Sequence, residues 1–181
     1  MLDAQFVSTV MPDGNEAWTT VRIGDRELTF DDTRFCLCRA TYVVDQMAPW
    51  RVSAIATDAG PGGEEDDSPS RMATQVTDVL GDRIDLSRMA CLLTLPGDPG
   101  CLAFLRGPVR TVRPVRFAGI DAWELDVEVP LDPDSDERLV LPVLVGRACW
   151  TGRKDPVQGG FLESVIRLQG YRSDIPFALA P

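Results

Sequence analysis

Residues 110–131 read RTVRPVRFAGIDAWELDVEVPL, and the alternation of apolar and charged residues in this stretch indicates the fold class. One face of its second half collects the apolar side chains Trp123, Leu125, Val127 and Val129, and the other face the acidic side chains Glu124, Asp126 and Glu128. A period of two is typical of a β-strand with one wet face. The turn-forming residues 118–121 predict that Arg110–Phe117 folds back as its antiparallel partner. If Phe117 faces Ala122, Arg113 lies opposite Asp126.

Similar stretches on both sides of this hairpin predict further short strands. They are Gln5–Met11, Ala17–Ile23, Arg26–Phe30, Phe35–Val44, Trp50–Thr57, Met89–Leu95, Cys101–Arg106 and Leu139–Trp150, with Phe161–Gln169 as strand or helix. Leu139–Trp150 is nearly continuous in apolar residues, which predicts a central strand buried on both faces. Apolar residues at helical spacing predict one amphipathic helix at about 70–80.

These elements predict a mainly β protein in which residues 1–181 form a single domain. Short strands at this spacing indicate an antiparallel β-sandwich or a closed β-barrel of about nine or ten strands. Residues 58–70 combine glycine, proline and four consecutive acids, which predicts an acidic surface loop.

Composition excludes several function classes. The chain of 181 residues contains no histidine, which removes the Ser–His–Asp and Cys–His catalytic arrangements and most catalytic zinc sites. A net charge of −10 argues against binding nucleic acid or an anionic membrane through bulk charge. No apolar run is long enough for a membrane helix and no signal peptide is visible, so we expect synthesis and folding in the cytoplasm.

The five cysteines do not form a metal-binding pattern. Cys36-Leu37-Cys38 is a C-x-C pair, which would place both sulfur atoms on one face of a strand, and the other spacings are irregular. A zinc knuckle needs C-x2-C pairs. We therefore expect reduced cysteines in the core, no metal and no cofactor.

Two acidic groups are candidates for chemistry or contacts. The stripe Glu124, Asp126 and Glu128 is a possible paired-carboxylate site, but alternation on a wet strand produces the same stripe, and arginines on the opposite strand are suited to pair with it. These arginines are Arg106, Arg110, Arg113 and Arg116. The run Glu64, Glu65, Asp66 and Asp67 lacks the alternating ligands and the glycine of a calcium loop. We predict no catalytic residue, and we take this run as a possible assembly contact.

Residues 16–58 resemble the small β domains of tail and minor tail proteins from tailed phages of actinobacteria. The resemblance rests on Leu28-Thr29-Phe30-Asp31-Asp32-Thr33-Arg34, followed by a strand like Cys38–Val44 and one like Trp50–Asp58. It implies a β-sandwich subunit that forms ring or tube contacts with protein partners, as a homo- or hetero-oligomer in a virion, without catalysis.

The aromatic residues leave a second interpretation open. Tyr42, Trp50, Trp123 and Trp150 either fill a core or line the cavity of a closed barrel. In the second case the protein binds or cyclises an apolar small molecule, as natural-product cyclases of the calycin or allene-oxide-cyclase-like type do. Such a catalyst holds its substrate in a reactive shape and needs no histidine.

Overall fold

The computed structural model describes residues 1–11, 16–62, 75–77, 83–85, 89–95, 101–130 and 137–175, and these residues are mainly β. The strands are β1 (Leu2–Val10), β2 (Trp18–Ile23), β3 (Arg26–Asp32), β4 (Met47–Pro61), β5 (Gln75–Thr77), β6 (Arg83–Asp85), β7 (Cys91–Thr94), β8 (Leu102–Phe117), β9 (Ile120–Pro130), β10 (Arg138–Gly146) and β11 (Phe161–Arg172). One helical turn, α1 (Phe35–Cys38), and two 3-10 turns complete the description. No helix within the described ranges is long and apolar enough to cross a membrane.

Nine strands pair into one sheet that closes on itself twice. Strands β1, β2, β3, β11 and β4 form a first strand ring, which the β1–β4 pairing closes. Strands β4, β10, β9, β8 and β11 form a second strand ring, which the β11–β8 pairing closes. The long β4–β11 pair belongs to both rings. Strand β7 extends the sheet beyond β8, and β5 pairs with β6 separately.

The long strands close the rings by changing partners along their length. β11 pairs with β8 from Phe161 to Arg167 and then with β3 at Gln169 and Gly170. β4 likewise pairs with β1 near its start and with β10 at Ala54 and Ile55. Most pairings are antiparallel, but β3–β11 and β4–β10 are parallel. The predicted mainly β, sandwich-like or barrel-like class is therefore confirmed.

A single apolar core spans both strand rings. The predicted inner face of β9 is confirmed, because Trp123 is 5% exposed and Leu125, Val127 and Val129 are fully buried. Ala54 and Ala56 of β4 and Ile166 and Leu168 of β11 join the same cluster. Burial of this continuous apolar surface is the main stabilising contribution to the fold.

The β8–β9 hairpin forms as predicted, but the predicted register is wrong by two residues. Phe117 faces Ile120 and Arg113 faces Glu124. The turn contains only Ala118 and Gly119, both with positive φ (49° and 82°), which matches the twist of a two-residue hairpin. The segment 101–106 predicted as a separate strand is continuous with this hairpin in β8, with a bulge between Val109 and Thr111.

The predicted strand Phe35–Val44 is also wrong. Phe35–Cys38 is helical and Arg39–Thr41 forms a 3-10 turn. The Asp32 carboxylate accepts a hydrogen bond from the Arg34 backbone N–H at 2.9 Å, which turns the chain away from the direction of β3. The C-x-C pair is therefore not on a strand.

Three other predictions need correction. The amphipathic helix at 70–80 is not seen: Gln75–Thr77 is a strand, and residues 70–74 and 78–80 lie outside the described ranges. Residues 58–61 of the predicted acidic loop belong to β4. The strand predicted at Leu139–Trp150 ends at Gly146 and is buried on one face only, because Val140 is 49% exposed. Phe161–Gln169 is a strand.

Candidate functional site

A cleft of about 400 Å³ opens where the two strand rings diverge. It lies at the fork where β3 separates from β11 and β8 takes its place beside β11. Its apolar wall comes from both rings and is aliphatic throughout, with Leu28, Leu92, Ala103, Val129, Leu139 and Leu168 as its main residues. A wall of this kind suits an aliphatic side chain or ligand.

Strand β7 forms one side of the cleft with a free backbone edge. It pairs with β8 from Cys91–Arg106 to Thr94–Ala103, and no described residue pairs with its other edge. Leu93 is 41% exposed and the preceding Met89 is 44% exposed. An exposed apolar edge strand is a template for pairing with another chain.

Charged residues in and next to the β2–β3 turn form the rim of the cleft. Glu27 accepts a hydrogen bond from the Arg22 guanidinium at 2.8 Å, with both side chains about half exposed. Asp25 and Arg26 also lie on the rim. Within the described part of the chain, neither of them forms an ion pair. Among the described residues, the rim therefore presents one carboxylate and one neighbouring guanidinium that form no ion pair.

A second group of polar residues surrounds the buried carboxylate of Asp32 in the first strand ring. The Tyr42 hydroxyl donates to Asp32 Oδ2 at 2.6 Å, and the Thr19 hydroxyl donates to the same oxygen at 3.1 Å. Burial and the hydrogen bond to Asp32 raise the pKa of Tyr42 far above its usual value, so the phenol stays neutral. Since its oxygens are occupied by these donors and the Arg34 N–H, Asp32 is better suited to hold the fold than to move a proton.

Arg172, the last residue of β11, forms hydrogen bonds near the Asp32 group. Its guanidinium is 8% exposed and donates to Asp174 at 2.8 and 2.9 Å and to the Thr41 carbonyl at 2.8 Å. The hydrogen bond to Arg172 lowers the pKa of Asp174, and the hydrogen bond to Asp174 raises the pKa of Arg172. These contacts join the 3-10 turn Arg39–Thr41 to the shared β4–β11 pair.

The second strand ring contains a buried ion pair. Arg106 and Glu163 lie 3.6 Å apart, with side chains only 4% and 6% exposed. Cys91 faces Arg106 across the β7–β8 pair, and burial raises the pKa of its thiol. Burial likewise raises the pKa of the Cys38 thiol. A raised pKa opposes formation of the thiolate that a cysteine nucleophile requires.

The acidic stripe of β9 is held by β8, as the sequence predicts. Arg113 contacts Glu124 at 2.5 Å and Asp126 at 3.1 Å, and Arg110 contacts Glu128. Arg116 lies 4.0 Å from Asp121, whereas Arg106 pairs with Glu163 and not with the stripe. The carboxylates are therefore ion-paired on a wet face, where such pairs add at most about 1 kcal/mol each.

The four aromatic residues predicted to line a pocket fall into two separate groups. Tyr42 contacts Trp50 in the first strand ring, with ring centroids 5.5 Å apart. Trp123 contacts Trp150 in the second, at 6.1 Å. Trp50 and Trp123 are buried in the core, and none of the four lines the cleft at the fork.

The remaining predicted features give no site in the part of the chain that the structure describes. Glu64, Glu65, Asp66 and Asp67 lie outside the described ranges. Cys38, Cys91, Cys101 and Cys149 are free thiols. Within the same ranges, no three metal-binding side chains converge.

Sequence reasoning missed the fork cleft and the Asp32 group, because both join segments far apart in the chain. One signal for the bare edge was available: residues 89–95 include no charged residue and no proline. Comparisons with known protein families, with curated proteins and with solved structures found no match for this chain.

Proposed function

We propose that this protein is a structural subunit of a larger assembly and associates with other protein subunits in ring or tube contacts. The main support is the bare β7 edge beside the aliphatic cleft, with Leu93 41% and Met89 44% exposed. In natural proteins, the edge strands of a sheet are normally protected from pairing with other chains, for example by charged side chains or by a covering loop or helix. The segment Met89–Leu95 carries no charged residue, and no strand of the described ranges covers the free edge of β7, which fits a surface that is covered by another subunit.

The ionisable groups of the described ranges favour binding over catalysis. The carboxylates of β9 are ion-paired, the Asp32 carboxylate is occupied by three donors, and the pKa values of the Cys38 and Cys91 thiols are raised. An activated nucleophile needs a nearby base or a lowered pKa. The resemblance of residues 16–58 to phage-tail domains adds the more specific proposal of a tail-type subunit, made in the cytoplasm and incorporated into a virion.

Sedimentation velocity over a wide range of protein concentration tests this proposal, with electron microscopy of the heaviest species. We expect discrete oligomers larger than a dimer that grow at the expense of the monomer as concentration rises. A purely monomeric protein at every concentration would overturn the proposal of a self-assembling subunit.

The fork cleft supports a second candidate function, the binding of an apolar small molecule. Its volume of about 400 Å³ lies within the range of small-molecule sites, and its walls are aliphatic. The ligand would be an aliphatic molecule, and cyclisation would follow from the shape imposed on it.

Titration with a fluorescent long-chain aliphatic probe tests this candidate. Leu28→Glu places a carboxylate in the cleft wall, and Val140→Glu, on the exposed face of β10, is the matched control. We expect saturable binding that Leu28→Glu abolishes and Val140→Glu leaves unchanged. Binding that neither substitution alters would remove the cleft from consideration.

A further inference from the structure

We infer that β7 is a self-association edge, which pairs with β7 of a second copy of this chain about a two-fold axis. The inference rests on the proposed assembly function and names the contact and the partner. The starting observation is the contrast between β7 and the other exposed strands. The wet face of β8–β9 has arginine–carboxylate pairs along it, whereas no charged residue occurs from Met89 to Leu95.

The backbone of β7 offers hydrogen-bonding groups to a further strand. One edge of Cys91–Thr94 is used by β8, and the other edge meets no described strand. An added strand would satisfy these amide and carbonyl groups and cover the exposed part of Leu93. The neighbouring cleft provides space for aliphatic side chains from the added strand, since Leu92, Leu93 and Thr94 themselves line it.

Charge indicates that the partner is a second copy. Like charges directly opposite each other destabilise a strand pair, and a two-fold axis places a strand opposite itself. An uncharged strand avoids this repulsion even in a chain with a net charge of −10. The two rim residues are self-complementary as well, because Arg26 of one copy has a charge opposite to that of Asp25 in the other.

Two-fold pairing has a defined consequence for assembly. The contact is the same surface on both subunits, so it closes at a dimer and joins two sheets edge to edge. A ring or tube then needs a second contact elsewhere. The exposed tip of the β8–β9 hairpin, with Phe117 58% and Ile120 61% exposed, is a separate apolar surface on the same chain.

Sedimentation velocity of the full chain and of Leu93→Lys tests the inference. Val140→Lys is the matched control, because Val140 is also a large apolar residue on a strand and is 49% exposed. We expect Leu93→Lys to weaken dimerisation by about tenfold or more, since like charges would face each other across the axis. Circular dichroism and the melting temperature confirm that each variant is folded.

A charge exchange at the rim supplies an independent readout. Asp25→Lys leaves two cations side by side and weakens dimerisation, whereas Asp25→Lys combined with Arg26→Asp restores it, and added salt reduces both effects. Association that persists unchanged in Leu93→Lys would overturn the β7 contact and leave the proposed assembly intact. A monomeric wild-type chain would overturn both.

Discussion

The two strand rings share β4 and β11, but different kinds of side chain fill their interiors. Aromatic residues fill the first strand ring, where Trp50 contacts Phe6, Phe30 and Tyr42 with centroid distances of 5.5 to 6.5 Å. The second strand ring is filled mainly by aliphatic residues of β8 to β11, including Leu105, Leu125, Val143 and Ile166. Aromatic pairs have preferred geometries, whereas aliphatic side chains adapt more easily to neighbours.

Hydrogen bonds reinforce this difference. In the first strand ring the Trp50 indole N–H donates to the Ala4 carbonyl, and Asp32, Tyr42 and Arg172 join three chain segments. In the second, β9 and β10 are held by regular strand pairing from Ala122 to Pro130. The structure of the first strand ring is therefore held by contacts of particular side chains. The second strand ring is held by regular backbone pairing and by the alternation of apolar residues along its strands.

Trp50→Ala has the largest expected effect. The substitution removes a fully buried side chain with three aromatic contacts, and we expect a loss of about 3–5 kcal/mol in the free energy of unfolding. Leu125→Ala, in the second strand ring, should cost about 2–5 kcal/mol. Because the rings share β4 and β11, both variants should shift one common transition in urea. Separate transitions for the two rings would contradict a shared core.

Gly107→Ala tests close backbone packing in the second strand ring. A Cβ at this position would collide with the Glu128 backbone carbonyl, which cannot move without disturbing β9. We expect a loss of about 2–3 kcal/mol. Gly170→Ala is the counterpart in the first strand ring, where the added Cβ would meet the Phe30 side chain at 2.7 Å. The Gly170 Cβ also meets the Arg51 backbone carbonyl at 3.0 Å, and Phe30 is fully buried, so urea unfolding should show a loss of about the same size for Gly170→Ala.

Tyr42→Phe removes one hydrogen bond from Asp32 and retains the aromatic ring. We expect a cost of about 1–2 kcal/mol at neutral pH, because a buried carboxylate then has one donor fewer. Tyr171→Phe is a matched control, and should change the free energy of unfolding by less. Equal costs for the two variants would show that the bond to Asp32 contributes nothing measurable.

The raised pKa of Tyr42 also predicts an alkaline loss of stability. The folded state favours the neutral phenol, so its contribution is complete below about pH 10 and is lost as the pH rises above that value. Unfolding followed in urea at a series of alkaline pH values should show a steeper decline for wild type than for Tyr42→Phe. An equal decline of stability with pH in the two proteins would contradict a raised pKa of the Tyr42 phenol.

Asp174 has the smallest expected effect, on the acid side. Its lowered pKa means that its contribution is complete above about pH 4 and is lost as the pH falls further. The carboxylate is 40% exposed, so we expect Asp174→Asn to cost less than about 1 kcal/mol at neutral pH. The variant should lose less stability on acidification than wild type does, as measured by the urea midpoint.

The sequence predicts the second strand ring better than the first for a physical reason. The alternation of β9 is local, so its buried face follows from Trp123 to Val129 without knowledge of the rest of the chain. Its register does not, because it depends on the two-residue turn at Ala118 and Gly119. Phe35–Val44 has the composition of a strand. Hydrogen bonds of Asp32 to the Arg34 N–H and to the Tyr42 hydroxyl nevertheless hold this segment in a turn, and the strand propensity of its residues does not predict these contacts.

The fork cleft could not be predicted from local sequence patterns. Its walls combine Leu28, Ala103, Val129 and Leu168, which belong to four different strands. Only the exchange of β3 for β8 along β11 brings them together. The uncharged segment 89–95 is visible in the sequence, but its position at a sheet edge is not.

Hydrogen exchange measured by mass spectrometry at low and high protein concentration tests the assembly account most directly. We expect the amides of Cys91–Thr94 to exchange more slowly at high concentration, because a second copy then covers the β7 edge, while the amides of β10 remain unchanged. Association without any slowing in β7 would contradict the proposed role of this edge.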